Sequence, residues 1–166
     1  MTDEFRDEPT YGEHTHPGHD RPAVVVVGVD FSATARHALA WALDYASHRS
    51  AVVHTVHVVD RRWSPADLRA DAGVIQREVA ATEAAARAEL ESLTAEARAR
   101  VGALHEHVVV GKPADELLRV AREVGADLLV VGNHGLDPIA HLLVGSVAEQ
   151  LVRRATCSVM VVRTPR

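Results

Sequence analysis

In the stretch VVGNHGLDPIAHLLVGSVAEQ (130–150) a valine-rich run stops at Gly132, Gly135 follows, and Gly145-Ser146 comes after nine intervening residues. Glycine lets the backbone turn tightly and leaves its N–H groups unshielded by a side chain. Gly145 and Ser146 stand at the start of a predicted helix, whose first N–H groups and dipole favour an anion. Two clusters of amides with a span between them have the chemistry to hold a polyphosphate. The better-known phosphate signatures are missing. There is no GxxxxGK[ST], which GKP at 111–113 does not supply, and no GxGxxG after the first predicted strand. A purely structural reading stands beside the chemical one. Gly132 and Gly135 also suit an ordinary strand-to-helix turn, and Ser146-Val147-Ala148-Glu149 fits a capping box in which Ser146 only caps its helix.

Other side chains with chemical potential are fewer. Asp30 ends the first predicted strand, where a carboxylate at the cleft repels a phosphate and suits hydroxyl donors; it equally suits a cap on the following turn. His14, His16 and His19 in HTHPGH form the kind of short tract that captures a transition metal, and a solvated segment explains them as well. His105 and His107 fall on one face of a strand, but HEHVV lacks the second histidine of HExxH, so no zinc hydrolase is indicated. Cys157, among apolar residues, reads as a small buried side chain.

These residues need elements to position them. AVVVVGVD (23–30) is a continuous valine run of the kind found in strands covered on both faces. Ser32 is a predicted N-cap, with Ala35, Leu39, Ala42 and Ala46 as the apolar stripe of the helix behind it. A second strand is predicted over 51–60 and a variable connection over 61–74. A long helix follows over 75–100, with Ala86, Leu90, Leu93, Ala97 and then Val101 on one side. A third strand covers 103–111. Pro113 fits the first position of the next helix, Asp115 and Glu116 its first turn, and Gly125 lies just past its end. The fourth strand, 126–132, runs into the glycine loop; a helix over 146–155 and a last strand, SVMVVR, complete the chain. This alternation predicts one doubly wound α/β domain of parallel strands with helices on both faces. Ligands of such sheets lie beyond the carboxyl ends of the strands, where the strand order reverses. If the first and fourth strands are neighbours there, Asp30 and the glycine loop face one cleft.

With 166 residues and 47% hydrophobic content, one domain with a single core is expected. The net charge of −5 is unevenly placed, because residues 1–22 hold six acids and two bases and the body is near neutral. A near-neutral body argues against nucleic-acid binding, which needs a basic face, and against a membrane surface. No run approaches the ~18 apolar residues of a membrane span. The N-terminus is acidic and lacks an apolar signal segment, and the single cysteine leaves no internal disulfide framework. The expected compartment is therefore the cytoplasm. Residues 1–22, with three prolines and no apolar period, are expected to form a disordered acidic, His-containing tail before a domain over 23–166.

The spacing Gly132-x2-Gly135-x9-Gly145-Ser146 resembles the nucleotide motif of the universal stress protein family. So do VVVGVDFS at the first strand, VHVVD at the end of the second, GKPADELLRVAREVGADLLVVG before the loop and GSVAEQLVRRATCSVMVV after it. The resemblance covers residues 23–163. It implies a five-stranded sheet of order 3-2-1-4-5, of the HUP or adenine-nucleotide α-hydrolase-like class, with an adenine nucleotide at the β1/β4 cleft. By that resemblance Gly28 and Val29 would lie against adenine or ribose, Asp30 would bond the ribose hydroxyls or the adenine edge, and Val58 would offer backbone groups to the adenine. Gly132, Asn133, His134 and Gly135 would line the ribose and first phosphate, and Gly145, Ser146 and Val147 the distal phosphates. The spacer LDPIAHLLV holds no Lys or Arg, contains Asp137, and loses one backbone donor at Pro138. ATP here would rely on N–H groups, on His134 or His141 if protonated, and on Mg2+; AMP, ADP and cyclic AMP are the alternatives. The family also implies a homodimer paired through the apolar, alternating last strand (Val159, Val161).

Three classes of function follow. One is a stress-response module that binds adenine nucleotide and acts through an unidentified regulatory protein partner. Another is a slow ATP hydrolase, and the third a nucleotide-free dimeric scaffold. Hydrolysis needs groups that position water and offset developing charge. The loop offers only His134 and His141, so no catalytic residue is assigned and turnover is expected to be slow at most.

Overall fold

Four valines in succession, Val24 to Val27, favour a strand because β-branched side chains are restricted at χ1 and pack well on a pleated surface. In the computed structural model, which describes residues 21–60, 71–99, 101, 103–134 and 145–164, they form β1 (Val24–Gly28) at the centre of a parallel sheet. The chain continues through α1 (Ala33–Ser47), β2 (Val52–Val59), α2 (Ala72–Thr94), β3 (Ala103–Val110), α3 (Pro113–Glu123), β4 (Leu128–Gly132), α4 (Ser146–Arg154) and β5 (Ser158–Val162). The five strands lie in the order β3-β2-β1-β4-β5, every neighbouring pair parallel. The doubly wound α/β expectation and the implied strand order are both the observed ones.

Side chains alternate across the sheet and feed two cores. Val25 and Val27 pack with Ala38, Leu39, Ala42 and Leu90 of α1 and α2. Val26 packs on the opposite face with Leu117, Leu118 and Leu151 of α3 and α4. All three valines are fully buried, which is why the run shows no polar alternation.

Most predicted boundaries hold within a few residues. Ser32 caps α1, its Oγ accepting from the Ala35 N–H at 3.1 Å. Gly125 follows α3 in the left-handed region, φ +63°, where glycine carries no Cβ penalty. The long helix differs. It starts at Ala72, capped by the Asp71 carboxylate bonding the Gly73 N–H at 2.8 Å, and stops at Thr94, with a 3-10 turn over Ala97–Ala99 behind it. Thr94 is fully buried. Its hydroxyl donates to the Glu106 carboxylate of β3 and lies 3.0 Å from the Leu90 carbonyl. Arg98 pairs with the same carboxylate at 2.7 Å. These non-local bonds to β3 end the helix where local propensity would continue it. Ala86, Leu90, Ala97 and Val101 still share the buried side.

At the amino end of the sheet, Asp127 accepts from Arg21 at 2.8 and 3.1 Å and from the Val24 N–H at 2.8 Å, tying the start of β1 to the start of β4. Residues 1–20 of the expected tail, with His14, His16 and His19, lie outside the described residues, as do residues 61–70 of the connection.

Candidate functional site

β1 and β4 are hydrogen-bonded neighbours, yet α1 leaves β1 toward one core and α4 leaves β4 toward the other. The strand order therefore reverses between them, and their carboxyl ends part. A cleft of about 290 Å³ opens there, at the lower end of the range for small-molecule sites. The β1 end contributes Gly28, Val29 and Asp30, and β2 contributes Val56 and Val58. Gly132, Asn133 and His134 follow β4, and Gly145, Ser146 and Val147 open α4. Gly135, Asp137, Pro138 and His141 lie outside the described residues.

The glycines make room. A Cβ at Gly28 would stand 3.0 Å from Val131 Cγ1 and 3.1 Å from Leu117 Cδ1, and one at Gly132 would stand 2.8 Å from Thr34 Cγ2. Ala35, Pro113, Leu117, Val131 and Ala148 also line the cleft and were not singled out. Val56 was findable, since it lies two residues before Val58 on the same strand face. Pro113 and Leu117 join only because α3 folds over that face, which no local pattern encodes.

The amides differ from expectation in one respect. Asn133 N–H donates to the Val162 carbonyl at 2.8 Å, and Gly145 N–H donates to the Asn133 carbonyl at 2.6 Å. Gly145 thus has no amide left for a phosphate and contributes space instead. The capping-box reading of Ser146 also falls. Gly145 is itself the N-cap, at φ −69° and ψ 156°, and Ser146 is the first helical residue with no side-chain cap bond. The first intrahelical bond runs from Glu149 N–H to the Gly145 carbonyl at 3.0 Å. The amides of Ser146, Val147 and Ala148 have no backbone partner among the described residues, as befits the first turn of a helix. They open on the cleft with the positive end of the helix dipole behind them.

Asp30 takes the turn-capping role foreseen for a carboxylate at its position. Oδ1 accepts from the Ser32 N–H at 3.0 Å, capping the turn. Oδ2 has no protein partner among the described residues, and Asp30 lines the cleft half-buried. No Lys or Arg joins it there among the described residues.

The profile of the universal stress protein family matches residues 23–163. The chain belongs to the universal stress protein family. A Staphylococcus haemolyticus protein named for this family is 31% identical over 141 residues, covering 84% of each chain. The universal stress protein UspA from Lactobacillus plantarum superposes with a TM-score of 0.75 at 25% identity, covering 86% of this chain and 99% of that one. A universal stress protein solved in complex with cAMP is 32% identical, with a TM-score of 0.63, over 87% of this chain and 98% of that one.

Away from the cleft of this universal stress protein, His54 of β2 joins His105 and His107 of β3. His54 Nδ1 lies 2.9 Å from His107 Nε2, and the His54 ring stacks on both partners. Burial, then the neighbouring imidazoles, pushes His54 down to about 4, and burial also lowers His107. Only the parallel register, His54 opposite His105, brings the third ring in. No group of three His, Cys, Asp or Glu among the described residues is arranged to hold a metal ion. Cys157 is half-buried beside the second core, and burial raises its thiol. Among the described residues no helix is long and apolar enough to cross a membrane.

Proposed function

We propose that this universal stress protein binds an adenine nucleotide in the β1/β4 cleft and acts as a nucleotide-responsive regulatory module. One observation carries the reading. Among the described residues, Asp30 Oδ2 and the amides of Ser146 and Val147 have no protein partner, and all three residues line the same cleft. An acceptor for sugar hydroxyls and a site for an anion are thus held apart by apolar Val29, Val56 and Val58, which suit a purine. The relative solved with cAMP supports the ligand class.

In this reading Gly28 and Val29 lie against adenine or ribose, and Val58 offers backbone groups to the base. Asp30 takes the ribose hydroxyls. Gly132, Asn133, His134 and Gly135 are the residues proposed to take the ribose and first phosphate. Ser146 and Val147 hold the distal phosphates of ATP or ADP, Gly145 leaving them room. Mg2+ fits as an ion carried by the phosphates, because Mg2+ keeps several waters and takes few protein ligands. The Ser146 hydroxyl, exposed and free of any cap bond, is the side-chain oxygen placed to join it. With no Lys or Arg lining the cleft among the described residues, ATP turnover is slow at most.

The protein acts as a cytoplasmic homodimer and passes its nucleotide state to a protein partner. β5 is an edge strand, half-buried at Val159 and Val161, and such an edge favours pairing with a second copy. The deciding experiment titrates a fluorescent adenine-nucleotide analogue and competes it with AMP, ADP, ATP and cAMP, with and without Mg2+. Saturable, displaceable binding is expected. A folded protein that gives no displaceable signal overturns the reading in favour of a scaffold.

A further inference from the structure

We infer that His57 is a positioning residue: it holds the β1–α1 turn so that the Asp30 carboxylate meets the ribose hydroxyls, and thereby sets discrimination for them. This rests on the adenine-nucleotide reading above. β1 ends at Gly28, yet both polar groups of Val29 remain tied to β2. Val29 N–H donates to the Val56 carbonyl at 2.9 Å, and the Val29 carbonyl lies 2.8 Å from His57 Nδ1. A carbonyl only accepts, so Nδ1 carries the proton and the tautomer is set by this bond.

The residue after Asp30 is anchored to the same imidazole. Phe31 has φ +64°, a left-handed conformation that a bulky side chain rarely adopts. Its ring stacks on His57 with centroids 4.4 Å apart and 27° between planes, and its carbonyl accepts from Arg36 Nε at 3.2 Å. Strain of this kind persists only where surrounding contacts over-determine it, and here the imidazole supplies them. Asp30 therefore sits between two residues clamped by one side chain. Its own Oδ1 is committed to Ser32, which leaves Oδ2 for a ligand. Alternation along β2 puts His57 on the face opposite Val56 and Val58, and it is absent from the cleft wall. It acts through the turn.

The test compares AMP with 2′,3′-dideoxy-AMP by calorimetric titration. The wild type should prefer AMP by about tenfold, the worth of a lost hydrogen bond to a charged acceptor. His57→Phe keeps a ring for Phe31 and removes the donor; it should weaken AMP alone and bring the ratio toward one. His57→Asn, with an amide nitrogen where Nδ1 stood, should restore most of the preference. Phe31→Gly, which removes the ring anchor without touching β2, should lower the ratio as His57→Phe does. A ratio unchanged in folded His57→Phe and Phe31→Gly overturns the inference and leaves nucleotide binding standing. A wild type that binds both ligands equally also overturns it. A wild type that binds neither overturns the nucleotide reading itself.

Discussion

Gly145 donates its backbone N–H to the Asn133 carbonyl at 2.6 Å. That bond joins the end of β4 to the start of α4, where Ser146 and Val147, whose amides have no partner among the described residues, line the cleft with His134. A Cβ at position 145 would lie 3.1 Å from the same carbonyl, so a larger residue there must displace the Asn133 carbonyl by a few tenths of an ångström. Gly145→Val should push α4 from the end of β4 and weaken adenine-nucleotide binding about tenfold, a cost of the order of one charge-assisted hydrogen bond. Calorimetric titration checks this; an affinity equal to the wild type would mean that the neck between Asn133 and Gly145 does not shape the site.

Asp30 serves the turn through one oxygen and the cleft through the other, and two substitutions separate these roles. Asp30→Asn keeps an acceptor for the Ser32 N–H and loses the charge and the second acceptor. Its melting temperature should stay close to the wild type while nucleotide affinity drops about fivefold or more. Asp30→Ala loses both functions and should also destabilise by about 1 kcal/mol, as a lost cap does. Full affinity in Asp30→Asn would remove the ribose role.

The imidazoles of His54 and His107 share a hydrogen bond, so the pair cannot carry two charges without breaking it. His54 is held at about 4, by burial first and then by His107 and His105. His107 is lowered by burial first, then by His105 and Arg119, with Glu123 acting in the opposite sense. The unfolded chain therefore binds more protons than the folded one between about pH 6.5 and 4. Stability from this pair is present in full above pH 6.5 and is lost as pH falls toward 4. Melting at pH 4.5 should come roughly 5 °C below melting at pH 7.5, and His54→Gln should flatten that dependence. An equal slope in the variant would assign the acid sensitivity to other groups.

A charge on the outer strand tests self-association. Val161→Lys puts a cation on β5 and should yield monomer in sedimentation velocity at concentrations where the wild type pairs. Val161 also packs beside the second core, so the melting temperature is recorded alongside. A dimer that persists in the folded variant would place the contact elsewhere.

Patterns of neighbouring residues made much of this protein legible. The Ser32 cap, Pro113 at a helix start, Gly125 at φ +63° and the unbroken valines of β1 are local matters, decided by dihedral preference and by which faces must be buried. Many of the positions lining the cleft were legible too, through glycine spacing and family resemblance, but not Pro113 or Leu117, which α3 brings in. Where the sequence misled, the cause was non-local. α2 stops at Thr94 because Glu106 of β3 draws it in, and Ser146 does not cap because Gly145 bonds Asn133 and takes that place.

The amino-acid sequence alone thus determined the elements and their alternation, which follow from periodicities within a dozen residues, and it carried the motifs by which the chain resembles its family. Only the tertiary structure decided which amides remain free, which oxygen of Asp30 is uncommitted, and that His57 clamps the turn beside it. A backbone group's partner depends on what lies across a strand or a loop, and register between distant segments is not written in any one of them.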